Sequence, residues 1–355
     1  MSGTSLDGID VALVEFSGGH IRPKGTHYQP YEQPLREALL ALHHPAPNEL
    51  HQAQLIANEL ARHYAAATAA LLQKYNIRPD QVRAIGCHGQ TVRHCPEQGY
   101  TLQLGNAALL AELTGIAVVS DFRSRDIAAG GQGAPLVPAF HDQVLRSADI
   151  HRVIVNIGGI SNLTDLPSSG GIKGFDCGPG NLLMDAWCMQ HLGKAYDDGG
   201  TWAATGRVLP DLLERMLGEA FFTTAPPKSS GRDLFNMAWL QGKLQGGEAP
   251  VDVQATLLEL TCRAIVQAIQ QYCIGAKEVY LCGGGAHNHA LVKALEQALP
   301  HCRVQLTDAL GVDADWMEAM AFAWLARQAV SGCPANQPAV TGARHPCILG
   351  AIYPA

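Results

Sequence analysis

Hydrophobic and polar positions along the 355-residue chain alternate between two periods. Short runs rich in aliphatic and β-branched residues, bounded by glycine, predict strands at 9–16, 20–29, 82–87, 101–104 and 118–120. The same signal returns at 152–157, 161–166, 174–176, 279–282 and 304–306. Helical spacing of apolar residues predicts a long helix over 48–75, with Leu50, Ile56, Leu60 and Leu71 among its apolar positions. Further helices are predicted up to about 113 and at 181–191, 256–273, 288–299 and 316–330. Strands alternating with helices define an α/β class. Each half opens with the same device of strand, glycine/hydroxyl turn and returning strand. The turns are Ser2-Gly3-Thr4-Ser5 and Gly158-Gly159-Ile160-Ser161, a weak two-fold internal repeat. This predicts two domains, 1–150 and 151–355.

Composition narrows the classes. Hydrophobic residues make up 47% and charged residues 16%, as in a well-packed globular chain. The net charge is −7 with no Lys/Arg run, which argues against a nucleic-acid partner. The start, MSGTSLDGID, lacks the basic and apolar regions of a signal peptide, and no run of 18 apolar residues predicts a membrane span. The ten cysteines form no CxxC pair, which suits reduced thiols and a cytoplasmic location. The fifteen histidines include no HExxH, and His287 and His289 are poorly spaced for a helical metal site.

Three glycine-rich stretches invite phosphate chemistry. Gly3-Thr4-Ser5-Leu6-Asp7-Gly8 combines close-approach glycines, hydroxyl donors and a carboxylate able to hold Mg²⁺ through water. A polar turn at the chain start accounts for it equally well. Gly158 and Gly159, within Asn156–Asn162, form either a second phosphate turn or an ordinary hairpin turn. Gly283-Gly284-Gly285 and Asn288 follow a predicted strand and open a helix, in the manner of an adenosine or α-phosphate site. With Asp308 they also mimic a dinucleotide fingerprint, but Asn288 replaces the third glycine. No P-loop motif is present.

The most chemically loaded stretch is Phe175-Asp176-Cys177-Gly178-Pro179-Gly180-Asn181. A carboxylate ending a strand faces the ligand crevice of an open α/β sheet. Asn181 is the better placed residue to cap the next helix, which frees Asp176 for chemistry. Asp185 reads as a supporting residue. Arg123 reads as part of a solvated, salt-bridged loop, whereas Arg125 suits bidentate binding of a substrate carboxylate. His88-Gly89-Gln90-Thr91 is a polar turn able to bond sugar hydroxyls, and 228–232 is either a loop near phosphate or a basic surface turn.

Taken in order, MSGTSLDG, GCHGQT, LGNAALLAELTG, DFRSRDIAAGGQGAPLVPAFH, NIGGISN, GFDCGPGNLLMDAW, KSSGRD, CGGGAHN and WMEAMAFAWLA resemble the anhydro-N-acetylmuramic acid kinase family across nearly the whole chain. That family belongs to the superfamily of sugar kinases, Hsp70 and actin. The resemblance implies two ribonuclease-H-like domains with ATP and sugar meeting in an interdomain cleft, and a homodimer. It implies that Gly3, Thr4, Ser5, Leu6, Asp7, Gly8, Ile9 and Asp10 contact the ATP phosphates, and that Asp7 places Mg²⁺. Gly158 and Gly159 would form the second phosphate loop, with Gly283, Gly284, Gly285 and Asn288 near adenosine. Thr91, Arg125 and Glu318 would lie at the sugar, and Asp176 matches the catalytic aspartate. Family members carry a short strand ahead of MSGTSLDG, which here starts at Met1, so either the start is misassigned or trimmed or the N-terminal hairpin is incomplete.

The implied reaction is unusual for a sugar kinase, because a 1,6-anhydro sugar has no free 6-hydroxyl. Water attacks C1, the C1–O6 bond breaks and O6 takes the γ-phosphoryl group, in a step of amino-sugar recycling from peptidoglycan. One carboxylate then suffices as base, because phosphoryl capture replaces the acid of a glycosidase. The competing readings are an ATP-independent hydrolase or lyase on the same sugar, a dinucleotide oxidoreductase built on Gly283–Gly285 and Asp308, and a non-enzymatic binding module.

Overall fold

A computed structural model describes residues 1–3, 6–17 and 20–355. The chain divides into two compact units, Met1–Val144 with Trp316–Ala355, and Leu145–Asp315.

The first unit begins with an antiparallel hairpin, β1 (Gly8–Ser17) against β2 (His20–Pro30). Then follow α1 (Gln33–Ala41) and the long α2 (Glu49–Lys74). β3 (Ile85–Gly86) pairs in parallel with β6 (Val118–Ser120), while β4 (Gln90–Cys95) and β5 (Tyr100–Leu104) form a hairpin. Between β5 and β6 lies α3 (Ala107–Thr114). The Asn106 side chain caps it, accepting from the Leu109 amide at 3.0 Å, and left-handed Gly115 ends it. α4 (Ser124–Ala128) and α5 (Val137–Leu145) complete this stretch. The buried face of α2 (Ile56, Leu60, Ala61, Tyr64, Ala67) packs with Leu6, Ile9, Leu104 and Leu110. Leu50 is 78% exposed: its position in the first turn of α2 turns it off that face.

The second unit is built on one five-stranded sheet. β7 (Arg152–Ile157), β8 (Ile160–Leu166) and β9 (Lys173–Pro179) form an antiparallel meander. The chain then runs through α6 (Leu182–Leu192), α7 (Pro210–Leu217), α8 (Ala220–Thr223), α9 (Met237–Lys243) and α10 (Pro250–Tyr272). It returns as β10 (Glu278–Cys282), α11 (His289–Ala298) and β11 (Arg303–Leu306). The strand order is β11-β10-β7-β8-β9, with β10 parallel to β7 and to β11. Three antiparallel strands continued by two parallel ones is the ribonuclease-H order. β7 and β10 are central and covered on both faces, so Val153, Ile154, Val155, Val279 and Leu281 are all fully buried and their sequences run apolar rather than alternating.

The last forty residues return to the first unit as α12 (Met317–Val330), α13 (Pro338–Thr341) and β12 (Ala351–Tyr353). The sequence-based division at 150 assigned them to the second half. In the structure α12 packs on β1 and β3, and β12 pairs with β6. Two local differences also stand out. The strand expected at 82–87 shortens to β3, because Pro79 starts a single 3₁₀ turn at Pro79–Gln81. The expected turn at 88–91 instead runs into β4.

Candidate functional site

In the second unit the turn between β7 and β8 bends back onto the start of α6. The Gly158 carbonyl accepts from the Asn181 amide at 2.8 Å, and the Gly159 carbonyl from the Gly180 and Leu182 amides at 2.9 and 3.2 Å. A trans peptide whose carbonyl points one way directs its N–H the other way. The amide of exposed Gly159 therefore faces away from α6, as an anion-binding turn requires. The Leu182 amide at the start of α6 is taken by the Gly159 carbonyl. Asn181 stands at the expected cap position but makes no side-chain cap; its Nδ2 reaches the Ile157 carbonyl at 3.4 Å instead.

The second glycine stretch of this unit lies beside the same turn. Gly283 has φ +80°, and a Cβ there would run into Asn156 Oδ1 and sit 2.9 Å from the Ile157 carbonyl. A Cβ on Gly285 would strike Ile157 Cγ2. Gly284–His287 forms a 3₁₀ turn, after which Asn288 caps α11 by accepting from the Leu291 amide at 3.0 Å. The glycines thus let the 283–285 backbone pack against the end of β7. Asp308 accepts from the Ala314 amide at 3.3 Å. The β7–β8–β9 meander is antiparallel, so the dinucleotide-fold reading of Gly283–Gly285 and Asp308 is withdrawn.

Asp176 lies on β9, next to a bulge where the β8–β9 register shifts between Ser161 and Asn162. β9 is the edge of the sheet, and the segment after α8 borders it there. The Asp176 amide donates to the Lys228 carbonyl at 3.1 Å, and the Ser230 amide donates to Asp176 Oδ2 at 2.8 Å. Burial pushes the Asp176 carboxyl up to about 6, while the Ser230 amide and the Lys228 charge pull the other way. That value suits a base near neutral pH. On α6, burial pushes Asp185 up to about 7; Arg232 opposes this and Asp197 adds to it. Nothing in the sequence pattern marked Ser230 as a partner of Asp176, because the two are joined only by the tertiary fold.

In the first unit, the Gly3 carbonyl accepts from Gln90 Nε2 at 3.0 Å. Thr4 and Ser5 lie outside the described residues. Leu6, at φ +57°, and Ile9 are both buried in the core, so only their main chain is available to a ligand. Asp7 is exposed, and its carbonyl is fixed by the Tyr28 hydroxyl at 3.0 Å and the Tyr31 amide at 2.9 Å. A Cβ on Gly8 would meet the Gln29 carbonyl at 2.5 Å, so glycine is required where β1 starts, opposite Pro30 at the open end of the hairpin. Asp10 exchanges backbone hydrogen bonds with Met1 at 2.8 and 2.7 Å.

Arg123 is not a solvated loop residue. Its Nε donates to His88 Nε2 at 3.1 Å and its Nη1 to the Gly133 carbonyl at 2.8 Å. Burial pulls the guanidinium down to about 10, still charged at neutral pH, and Glu318 and Asp126 oppose that pull. Burial raises the Glu318 carboxyl, and Arg123 is its main counterweight. Burial, helped by the same positive charge, keeps His88 neutral. Arg125, by contrast, is exposed and lines a cavity of about 640 Å³ with Asp121, Ser124, His345 and Cys347. Thr91 Oγ1 accepts from Gln103 Nε2 at 3.3 Å.

Among the described residues no group of three or more His, Cys, Asp or Glu is arranged to hold a metal. All ten cysteines are free. No helix of the described residues is long and apolar enough to cross a membrane.

The second unit thus joins a ribonuclease-H strand order to a glycine turn at its strand ends and a largely buried carboxylate on its edge strand, and its class is that of a kinase by family. The chain belongs to the anhydro-N-acetylmuramic acid kinase family, whose model matches residues 1–355. It is similar to the anhydro-N-acetylmuramic acid kinase of Nitrosospira multiformis, at 61% identity over 100% of this chain and 98% of that relative. It is similar also to the kinases of the same name from Nitrosomonas europaea, at 59% over 100% and 98%, and Thiobacillus denitrificans, at 58% over 100% and 96%. Among solved structures, component A of (R)-2-hydroxyglutaryl-CoA dehydratase from Acidaminococcus fermentans is 13% identical. It covers 89% of this chain and 96% of its own, with a TM-score of 0.45.

Proposed function

We propose that this chain opens 1,6-anhydro-N-acetylmuramic acid with water and transfers the γ-phosphoryl group of ATP to O6, giving N-acetylmuramic acid 6-phosphate and ADP. The observation that carries the residue-level reading is Asp176, an edge-strand carboxylate with one oxygen tied to the Ser230 amide and its pKa raised to about 6. Such a group is ionised at neutral pH and still basic enough to take a proton from water as that water attacks C1. The C1–O6 bond breaks, and O6 bonds to the γ-phosphorus as the bond to the β-phosphate oxygen breaks. No acid is needed at O6.

The Gly159 amide, and the backbone of Gly3, Leu6, Gly8 and Ile9 with Thr4 and Ser5, serve the polyphosphate; Gly158, Gly283, Gly284, Gly285 and Asn288 shape the nucleotide side. Leu6 and Ile9 act through main chain alone, since their side chains are core. Mg²⁺ would neutralise charge on the phosphates. With no multi-ligand cluster among the described residues, exposed Asp7 fits a metal carried mainly by the nucleotide, with Asp10 nearby in the same hairpin. Arg125 is the cation for the lactyl carboxylate of the sugar, in keeping with its place in the cavity. Glu318, its charge balanced by Arg123, and Thr91 orient sugar hydroxyls. The net charge of −7 speaks against a nucleic-acid partner, and a homodimeric, cytoplasmic enzyme is the assembly and setting that the family resemblance implies.

The test is the reaction in ¹⁸O-water with ATP and the anhydro sugar, followed by mass spectrometry. Label at C1 of a 6-phosphorylated product is expected. Label in phosphate, or sugar opening without ATP, refutes the scheme.

A further inference from the structure

Two sides of Asp176 are held by one short segment. Its amide donates to the Lys228 carbonyl at 3.1 Å, and its Oδ2 accepts from the Ser230 amide at 2.8 Å. β9 is a sheet edge, so its outward backbone groups need partners, and 228–230 supplies them at the one position where the edge carries a carboxylate. That segment is itself tied down. Lys228 Nζ donates to the Phe221 carbonyl at 3.0 Å and lies 4.5 Å from the centre of the Phe221 ring. Phe221 belongs to an aromatic cluster with Phe222, Phe235 and, through Phe235, Trp239. A Cβ on Gly178, two residues beyond Asp176, would meet Phe222 at 2.7 Å, so the cluster presses on the same stretch of β9.

We infer that Lys228–Ser230 is the positioning segment of the catalytic base: the Ser230 amide fixes one carboxylate oxygen of Asp176, and Lys228 straps the segment to α8. The inference rests on Asp176 being the base. A carboxylate oxygen that accepts a hydrogen bond is the less basic of the two, so the proton from water goes to Oδ1. Ser230 and Lys228 also set how readily the base ionises. Both favour the charged carboxylate against burial, and Lys228 is the charged side chain acting on it. The Cys177 thiol beside it is raised by burial and stays neutral.

The experiment follows the acid limb of kcat/KM for the sugar in the full chain carrying Ser230→Pro, Lys228→Met or Ser230→Ala. Ser230→Pro removes the amide donor, and Lys228→Met removes the strap and its charge. Each is expected to move the acid limb upward by about half a pH unit or more, with the KM for ATP unchanged. Ser230→Ala keeps the amide and is expected to keep the limb where the wild type has it. An unmoved limb in Lys228→Met, or in Ser230→Pro with its thermal midpoint retained, overturns the inference, as does an equal shift in Ser230→Ala. If Ser230→Pro does not fold, Lys228→Met decides alone, since it keeps every backbone donor. Asp176→Asn is measured alongside. Near-wild-type turnover in that variant sinks the base itself, whereas a strongly impaired Asp176→Asn with unmoved limbs elsewhere sinks only the positioning role.

Discussion

Asp176 works under opposed influences, and their balance is measurable. Burial raises its carboxyl to about 6 despite the Ser230 amide and Lys228. In the proposed role as base it must be ionised to take a proton, so kcat/KM is expected to fall tenfold per pH unit below about pH 6. Asp176→Asn should lower kcat by a factor on the order of 10²–10⁴ while ATP still binds by calorimetry. Asp185 carries a stability consequence of definite sign. Its carboxyl is raised from 3.8 to about 7, so between those values the folded chain holds a proton that the unfolded chain has released. Stability must therefore fall as pH rises through that window. Asp185→Asn, which mimics the neutral form, should raise the thermal midpoint at pH 8 and give no gain at pH 4. At this scale the glycine-rich surroundings of Asp176 singled it out in the sequence, and the structure shows its carboxyl largely buried on an edge strand with the Ser230 amide on one oxygen. It misread Arg123, because the sequence does not show that His88, some 35 residues away, meets the guanidinium and takes its hydrogen bond.

At the scale of elements, the turns of the second unit are held from behind. α10 supports the corner between β9 and α6: buried Thr261 directs its hydroxyl at the Pro179 and Gly180 carbonyls, both at 3.0 Å. Thr261→Val keeps the shape but leaves those carbonyls short of a donor. It should cost about 1–3 kcal/mol in urea unfolding and lower kcat, because the corner immediately follows the strand bearing Asp176. Gly283 is under a stricter constraint, with φ +80° and no room for a Cβ beside Asn156. Gly283→Ala should displace the β7 end, lowering nucleotide affinity more than sugar affinity in separate titrations. Most of these elements were legible: the strand, glycine turn and returning strand at 152–166 follow directly from the apolar run and Gly158-Gly159. The bulge beside Asp176 was not, since an extra residue in a strand is defined by the register of its neighbour.

For the whole molecule, the chain's return to its first unit is the feature that sequence reading missed. A helix at 316–330 is plain from its apolar spacing, but which sheet it covers depends on contacts with β1 and β3 hundreds of residues earlier. The return is fixed by polar bonds as well as by packing. Asp126 is fully buried, and Oδ1 accepts from Asn336 Nδ2 at 2.7 Å and from the Thr341 hydroxyl at 2.8 Å, while Oδ2 takes the Gly133 amide at 2.8 Å. Ending the chain after Asp315 would strip two of those three donors from a buried carboxylate and remove α12 from the first-unit core. Leaving a buried acceptor short of its donors costs about 1–3 kcal/mol, and loss of the apolar face of α12 adds to it. The five-stranded sheet of residues 145–315 loses no strand by the same cut. Hydrogen exchange on the truncated chain should therefore show 1–144 exchanging rapidly while amides of β7 and β10 stay protected. Equal loss of protection in both segments would mean that the two units stand or fall together, and that the discontinuous first unit does not depend on its own C-terminal elements more than the second does.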